Sequence, residues 1–373
     1  MKVFLTGGGS GGHLYPALNI AHALMAADPS VSPHYIGARR GIEHDVLPST
    51  GIPFTLLDLH PLYRRRPLEN IRTARGLWSA WRGIGEIAGK ERPRLVIATG
   101  GYAAGAALAW AASHRVPFVL QEQNSFPGIT VRAFSRMASA IYLGFPEASA
   151  WLPARARARC VDTGNPIAPP PPTEQRPDRR GARARWGFPD DPDAGPVVLI
   201  FGGSQGSAAL NAVVDAWIER GLPPGLHVLW ATGRSHVERH AARAGERVRV
   251  VPYLSPIGDA YAATDLAITR AGAMTTAELA AWGIPALLVP LPTAAADHQS
   301  ANARALEAAD AARVIRQSEL TVDTLEGVVV GLVRDPSARA ILAAGMRERA
   351  RPDAAQTIAR LILEASYLKQ HGR

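Results

Sequence analysis

Gly7-Gly8-Gly9-Ser10-Gly11-Gly12-His13 follows the apolar run Val3-Phe4-Leu5 and leads into Leu14, Ala17, Leu18, Ala21, Leu24 and Met25. The first run reads as a short buried strand and the second as one face of a helix, so the glycines occupy a strand-to-helix turn. Glycine admits positive φ and lets bare N–H groups approach a ligand, and a helix N-terminus adds partial positive charge. The turn therefore suits an anion, or negative charge that develops during a reaction. Five glycines and a serine exceed what a tight turn requires. The order is not the dinucleotide fingerprint G-x-G-x-x-G, because no acidic residue closes a second strand about twenty residues on.

The same plan continues outward. His34–Gly37 and Phe54–Leu57 read as strands, 62–89 as mostly helix, and Leu95–Ala98 as a strand ending in Thr99-Gly100-Gly101-Tyr102. An Ala-rich helix over 103–113 and the strand Phe118–Leu120 follow, the latter ending in Gln121-Glu122-Gln123-Asn124. Continuous apolar strands alternating with helices predict a parallel, doubly wound α/β sheet, with ligands at the C-terminal strand ends. The Pro-rich stretch Thr163–Pro172 reads as a hinge. Asp190, Asp191 and Asp193 lie beside prolines and a glycine and read as a solvated turn, not a metal site.

A short helix over 179–186 leads into a second round. Val197–Phe201 runs into Gly202-Gly203-Ser204-Gln205-Gly206-Ser207 and a helix from Ala208. Strands follow at 228–230, 248–251 and 266–268, then Arg270-Ala271-Gly272-Ala273-Met274-Thr275-Thr276 opening a helix, and a late strand over 287–290 before Asp297-His298-Gln299. Two sheets of one architecture, each presenting glycine turns, predict a cleft between two domains.

Composition sets the class. The 373 residues suffice for two cores, and 47% hydrophobic with 20% charged content is that of a globular protein. Cys160 is the single cysteine, which excludes an intrachain disulfide and fits a reducing compartment. The start resembles no signal peptide, and the apolar stretch 279–296 is broken by Gly283, Pro285, Pro290 and Pro292. The net charge of +9 is uneven: 18 Lys and Arg face 10 Asp and Glu through Thr163, leaving +8 there and +1 beyond. That asymmetry points to a polyanion, either nucleic acid or an anionic membrane surface. No recognised nucleic-acid module is present, which favours the membrane.

Six stretches in order carry a family resemblance: Gly8–Pro16, Thr99–Tyr102, Gln121–Asn124, Gly164-Asn165-Pro166, Gly202–Gly206 and Arg270–Thr275. Together they resemble the MurG family of glycosyltransferases over nearly the whole chain. The resemblance implies a GT-B fold, with two doubly wound Rossmann-like domains facing a central cleft. It implies an acceptor-binding, membrane-associating domain over 1–163, a UDP-GlcNAc-binding domain over 164–352, and a last helix within 353–373 packing back on the first domain. The implied activity is inverting transfer of N-acetylglucosamine from UDP-GlcNAc to the 4-hydroxyl of the N-acetylmuramoyl sugar of lipid I. The product would be lipid II, the peptidoglycan precursor, made by a peripheral enzyme at the cytoplasmic face of the inner membrane without a cofactor.

Inverting transfer needs a held leaving diphosphate, a positioned hydroxyl and an acceptor for its proton. The helix start at Gly272–Thr276, covering Ala273, Met274, Thr275, Thr276 and Ala277, is expected to cradle phosphates with N–H groups and threonine hydroxyls. Glu278 is placed to accept from both ribose hydroxyls, or else only pairs with the helix dipole. Ser10, Gly11, Gly12, Asn124, Ser204, Gln205 and Gln299 match family donor-site positions, and Leu254 is expected to meet uracil through its backbone. His298 reads as a neighbour of that site. His13 is the candidate base, since a histidine at a helix start stays neutral near working pH; a purely structural role is the alternative. The family's donor-contacting arginine is replaced by Ala168, which leaves Arg176, Arg179 or another cation to substitute. No Asp-x-Asp lies at a strand end, so no dedicated metal is expected.

Three other readings compete. One is a related UDP-sugar transferase acting on a lipid or natural-product acceptor. Another is a UDP-GlcNAc 2-epimerase, which needs no basic, aromatic surface. The third is a non-catalytic sugar-nucleotide module, for which two facing half-sites are superfluous. The segment Leu62–Ile84 interleaves Arg64, Arg65, Arg66, Arg72, Arg75 and Arg82 with Leu68, Ile71, Leu77, Trp78, Trp81 and Ile84. It is read as a membrane seat, with an ordinary core-packing helix as the alternative.

Overall fold

The computed structural model describes residues 1–59, 70–189, 191, 194–203 and 205–371, with backbone alone at 70–78, 367 and 369–371. The chain divides into one unit of Met1–Ala168 with Asp353–Arg373 and a second of Pro169–Pro352. The division falls at Ala168 and not at Thr163, because Thr163, Asn165 and Ile167 are buried in the first unit.

The first unit holds seven strands: β1 (Lys2–Thr6), β2 (Ser32–Ala38), β3 (Phe54–Leu57), β4 (Leu95–Ala98), β5 (Phe118–Glu122), β6 (Ala140–Leu143) and β7 (Cys160–Asp162). All pair in parallel, in the order β3-β2-β1-β4-β5-β6-β7. Side chains of successive residues leave the sheet on opposite faces. Phe4, Val96, Leu120 and Ile141 join one core, under the helices Asn70–Glu91 and Gly101–Ser113. Val3, Leu5, Leu95, Ile97 and Tyr142 join the other, under the helix Gly11–Ala27. Both faces are covered, which is why these strands read as unbroken apolar runs. The last helix, Ala354–His371, adds Ile358, Ala359, Ile362 and Leu363 to that second core. Each large aliphatic side chain so buried contributes about 1.5–3 kcal/mol, enough to return the chain's end to the first unit.

The second unit repeats the plan with β8 (Val197–Phe201), β9 (His227–Ala231), β10 (Val248–Val251), β11 (Leu266–Thr269), β12 (Ala286–Leu288) and β13 (Ala312–Val314). The parallel order is β10-β9-β8-β11-β12-β13. In each sheet the strand order reverses once, between β1 and β4 and between β8 and β11. The turns leaving those strands are where an open α/β sheet binds ligands.

The late strand stops at Leu288, so Val289 and Pro290 lie beyond it, and the helix expected over 103–113 begins at Gly101. Strands β7 and β13 lack a clean apolar signature: Asp162 ends β7, and Arg313 stands in the middle of β13. No helix among the described residues is long and apolar enough to cross a membrane.

Candidate functional site

In the first unit, the helix Gly11–Ala27 opens directly after the β1 turn, with Ser10 extended at its N-cap and making no side-chain cap. Gly11 and Gly12 thus fall in the first turn, where N–H groups lack intrahelical acceptors. The β4 turn closes against this one. Gly100 and Gly101 have φ of 92° and 77°, and a Cβ on Gly101 would lie 2.2 Å from the Gly8 carbonyl oxygen. Only glycine permits both the conformation and the approach.

His13 lies half-buried between these turns. Its Nδ1 is 2.9 Å from the Thr99 carbonyl oxygen and 2.8 Å from Gln123 Oε1. A relay of amides fixes the polarity. Asn165 Nδ2 donates to the Gln123 carbonyl (2.9 Å), which turns Asn165 Oδ1 toward Gln121 Nε2 (3.3 Å). Gln121 Oε1 then accepts from Gln123 Nε2, which also donates to the Thr99 carbonyl (2.7 Å). Gln123 Oε1 is left facing His13. Both groups at Nδ1 are acceptors, so Nδ1 carries the proton and Nε2 carries the lone pair. Burial holds the His13 pKa below the ordinary histidine value, against the raising effects of Gln123, Thr99 and Glu43. The ring is a neutral imidazole with a defined basic nitrogen.

Two carboxyl groups brace the turns. Glu43 is buried, and its Oε1 accepts from the N–H groups of Gly9 (3.0 Å) and Ala38 (3.3 Å). Glu122 Oε1 accepts from the backbone N–H (3.0 Å) and side-chain amide (3.2 Å) of Asn124, and its Oε2 from the Gly128 N–H (2.8 Å). Asn124 is thereby held at the end of β5, on the same strand edge as His13. Gln121, Glu122, Gln123 and Asn165 fall in the family's motif stretches without a role assigned to them there, and Glu43, in the helix Glu43–Val46, carries no motif signal.

In the second unit, the helix Ala273–Trp282 starts after β11 with Gly272 as N-cap, and Ala273, Met274 and Thr275 form its first turn. Thr276 is buried, and its hydroxyl donates back to the carbonyls of Gly272 and Ala273, both at 3.1 Å. That hydroxyl is spent within the helix, whereas the Thr275 hydroxyl makes no hydrogen bond among the described residues. Ala277 and Glu278 follow. Glu278 Oε2 accepts from the Tyr261 hydroxyl at 2.8 Å. Burial raises the Glu278 pKa above the ordinary glutamate value, and the Tyr261 bond opposes this. Oε1 remains open for a further donor.

Leu254 lies past β10 with its side chain buried, and its backbone N–H and carbonyl have no partner among the described residues. Gln205 is exposed in the β8 turn, where Gly203 and Gly206 have φ of 91° and 75°. Ser204 lies outside the described residues. Gln299 is the second residue of the helix His298–Glu307, and its Oε1 accepts from the Leu291 N–H (2.9 Å), leaving its amide protons as donors. His298 Nδ1 meets the Ala295 carbonyl at 2.6 Å.

Neither cation suggested as a substitute at Ala168 is at this end of the sheet. Arg179 pairs with Asp265 at 2.5 Å, beside the starts of β8 and β11, and Arg176 lies over the Trp282 ring at the far end of its helix. Arg270 is at the right end. It is buried, and it donates to the carbonyls of Val289 (3.0 Å) and Pro290 (3.3 Å), to Ser207 Oγ (2.6 Å) and to Gln317 Oε1 (2.7 Å). Burial lowers its pKa from the ordinary arginine value. No group of three or more metal-ligating side chains occurs among the described residues.

Much of the segment read as a membrane seat falls outside the description: Arg64, Arg65, Arg66 and Leu68 altogether, and the side chains of Ile71, Arg72, Arg75, Leu77 and Trp78. Of the rest, Ile84 is fully buried in the core and Trp81 packs against that core and His114, while Arg82 is exposed. These two apolar side chains belong to the fold and not to a membrane-facing surface.

Residues 3–143 match the glycosyltransferase family 28 N-terminal domain, and residues 197–358 its C-terminal domain. A protein of Salinibacter ruber is 40% identical over 97% of this chain and 96% of its own length, and one of Symbiobacterium thermophilum is 38% identical over 100% and 98%. Both are named UDP-N-acetylglucosamine–N-acetylmuramyl-(pentapeptide) pyrophosphoryl-undecaprenol N-acetylglucosamine transferase. The crystal structure of Acinetobacter baumannii MurG superposes with a TM-score of 0.77 at 28% identity, covering 97% of this chain and 99% of that one. With both domains matched and identity sustained end to end, this chain, a two-domain GT-B protein, belongs to the MurG family of glycosyltransferases.

Proposed function

We propose that this protein transfers N-acetylglucosamine from UDP-GlcNAc to the 4-hydroxyl of the N-acetylmuramoyl sugar of lipid I, forming lipid II for peptidoglycan synthesis. Family membership supports the substrate pair. The observation that carries the chemistry is the amide relay, which puts the His13 lone pair on Nε2.

The reaction forms a bond from the acceptor oxygen to the sugar's anomeric carbon and breaks the bond from that carbon to the diphosphate, with inversion. The acceptor proton passes to His13 Nε2, and UDP leaves with the electron pair. The first unit takes the acceptor, and its Ser10, Gly11, Gly12 and Asn124 are read as contacts to the donor. The second takes the nucleotide sugar: the N–H groups of Ala273 and Met274 with Thr275 face the diphosphate, Glu278 Oε1 accepts from ribose, and the free backbone groups of Leu254 meet uracil. Gln205 and Gln299 supply amide donors to the sugar or diphosphate, and Ser204 belongs with them.

The acceptor is a lipid, so the protein works as a peripheral enzyme on the anionic cytoplasmic face of the cell's inner membrane, with the basic first unit toward the bilayer. The +8 excess through Thr163 supports that orientation. Incubation with radiolabelled UDP-GlcNAc and a lipid I analogue, followed by chromatography, tests the reading. Label in the lipid product with equimolar UDP is expected. Epimerised or hydrolysed sugar nucleotide with no labelled lipid would overturn it.

A further inference from the structure

Arg270 is a buried cation without an anion. Every partner of its terminal nitrogens is neutral: two backbone carbonyls, a hydroxyl and an amide oxygen. No Asp or Glu pairs with it among the described residues. Burying a full charge this way is costly, and buried charges in folded proteins are ordinarily paired. Arg270 lies at the C-terminal strand edge between β8 and β11, where the two flanking turns open the helices Ala208–Arg220 and Ala273–Trp282. Both helix N-termini add positive potential to the same edge. Arg270 stands two residues before the Gly272 N-cap of one helix and donates to Ser207, the N-cap of the other. No acidic side chain among the described residues neutralises that edge, which leaves its charge for a ligand to meet.

We propose that Arg270 is a positioning residue that supplies the fixed counter-charge of the donor's diphosphate, in place of the arginine that this chain lacks at Ala168. The proposal rests on the reading of the second unit as the nucleotide-sugar site. The guanidinium does not grip the phosphate, since its terminal N–H groups are engaged by protein. It acts through the field and by holding the β8 turn, through Ser207, and the stretch after β12, through Val289 and Pro290, in one arrangement. Because it is fully hydrogen-bonded before ligand arrives, its charge requires no reorganisation when the diphosphate departs with an added negative charge.

Binding of UDP and of uridine, which has no phosphate, separates this role from a structural one. In Arg270→Met, UDP affinity should fall about tenfold or more, the scale of losing interactions with a charged group, with uridine affinity held within about twofold. Arg270→Lys, which keeps the charge and loses the forked hydrogen bonds, should retain most of the preference for UDP over uridine. Loss of the preference for UDP over uridine in the lysine variant, or an unchanged UDP-to-uridine ratio in the methionine variant, would overturn the proposal while leaving the donor site in place. Should Arg270→Met fail to fold, the lysine variant decides alone. Failure of the unaltered protein to bind either ligand would instead overturn the donor-site reading, and the proposal with it.

Discussion

Replacing Gln123 with methionine removes the side-chain oxygen that faces His13 Nδ1 while keeping a chain of similar length. The Thr99 carbonyl still accepts from Nδ1 at 2.9 Å, so the tautomer survives and one of two restraints on the ring is lost. The bond to Gln123 opposes the effect of burial on the His13 pKa, so its loss moves that pKa further down. A lower pKa makes a weaker base and a less stable imidazolium in the transition state. A hydrogen bond that strengthens when its donor becomes charged is worth about 1–2 kcal/mol more in that state, so kcat should fall about five- to thirtyfold. The acid limb of the kcat/KM profile reports ionisation of the free enzyme's base, and it should move to lower pH. The Gln121 carbonyl also loses a donor (3.2 Å), so melting is followed alongside to separate a stability loss from a catalytic one. A folded variant with an unmoved acid limb and kcat within about twofold would refute the assignment of Nε2 as the basic nitrogen.

Deleting the base itself should be more severe: His13→Ala is expected to lower kcat about 10²–10⁴-fold with UDP affinity little changed, and turnover surviving within a few-fold would make His13 structural. Glu278→Ala should weaken UDP binding by roughly 1.5–3 kcal/mol in calorimetry, and in the unaltered protein UDP affinity should begin to fall above the ordinary glutamate range as pH is lowered, because burial raises the Glu278 pKa and protonation removes its acceptor charge. Affinity indifferent to both changes would exclude the ribose contact. Arg72→Glu with Arg75→Glu should reduce sedimentation with anionic vesicles, each arginine near such a surface contributing about 1 kcal/mol; sedimentation unaffected by the pair and by added salt would refute the seating.

The sheet strands that the sequence makes legible are those buried on both faces. Val197–Phe201 and Leu95–Ala98 have no other place to go than between two helical layers, and they form where the apolar run says. Strand β13, with Arg313 at its centre, and β7, with Val161 exposed, gain their pairing from neighbours far along the chain, which periodicity does not register. The glycine turns were legible because positive φ and close approach leave one residue type. The polarity of the His13 ring was not. Gln121, Gln123 and Asn165 acquire meaning only when β5 and the segment after β7 are side by side, because the direction of each amide is set by the next. Thr276 shows the opposite failure: a hydroxyl at a helix start invites a ligand role, but its χ1 choice sends it back into the helix.

The two units use one topology with opposite electrostatics, and the division matches the charge flow of the proposed reaction. At the first switch point carboxyl groups, Glu43 and Glu122, accept from the N–H groups of Gly9, Asn124 and Gly128, so much of the turns' positive potential is already met by protein. What remains open there is a neutral imidazole, whose protonation such surroundings tolerate. At the second switch point no acidic side chain among the described residues takes the helix starts, and Arg270 adds a positive charge whose partners there are all neutral. A hydroxyl losing a proton needs the first environment; a diphosphate gaining negative charge needs the second. One site serving both would set a cation beside the base and lower its pKa further. Placing the proton acceptor and the counter-charge on separate sheets lets each be tuned without weakening the other.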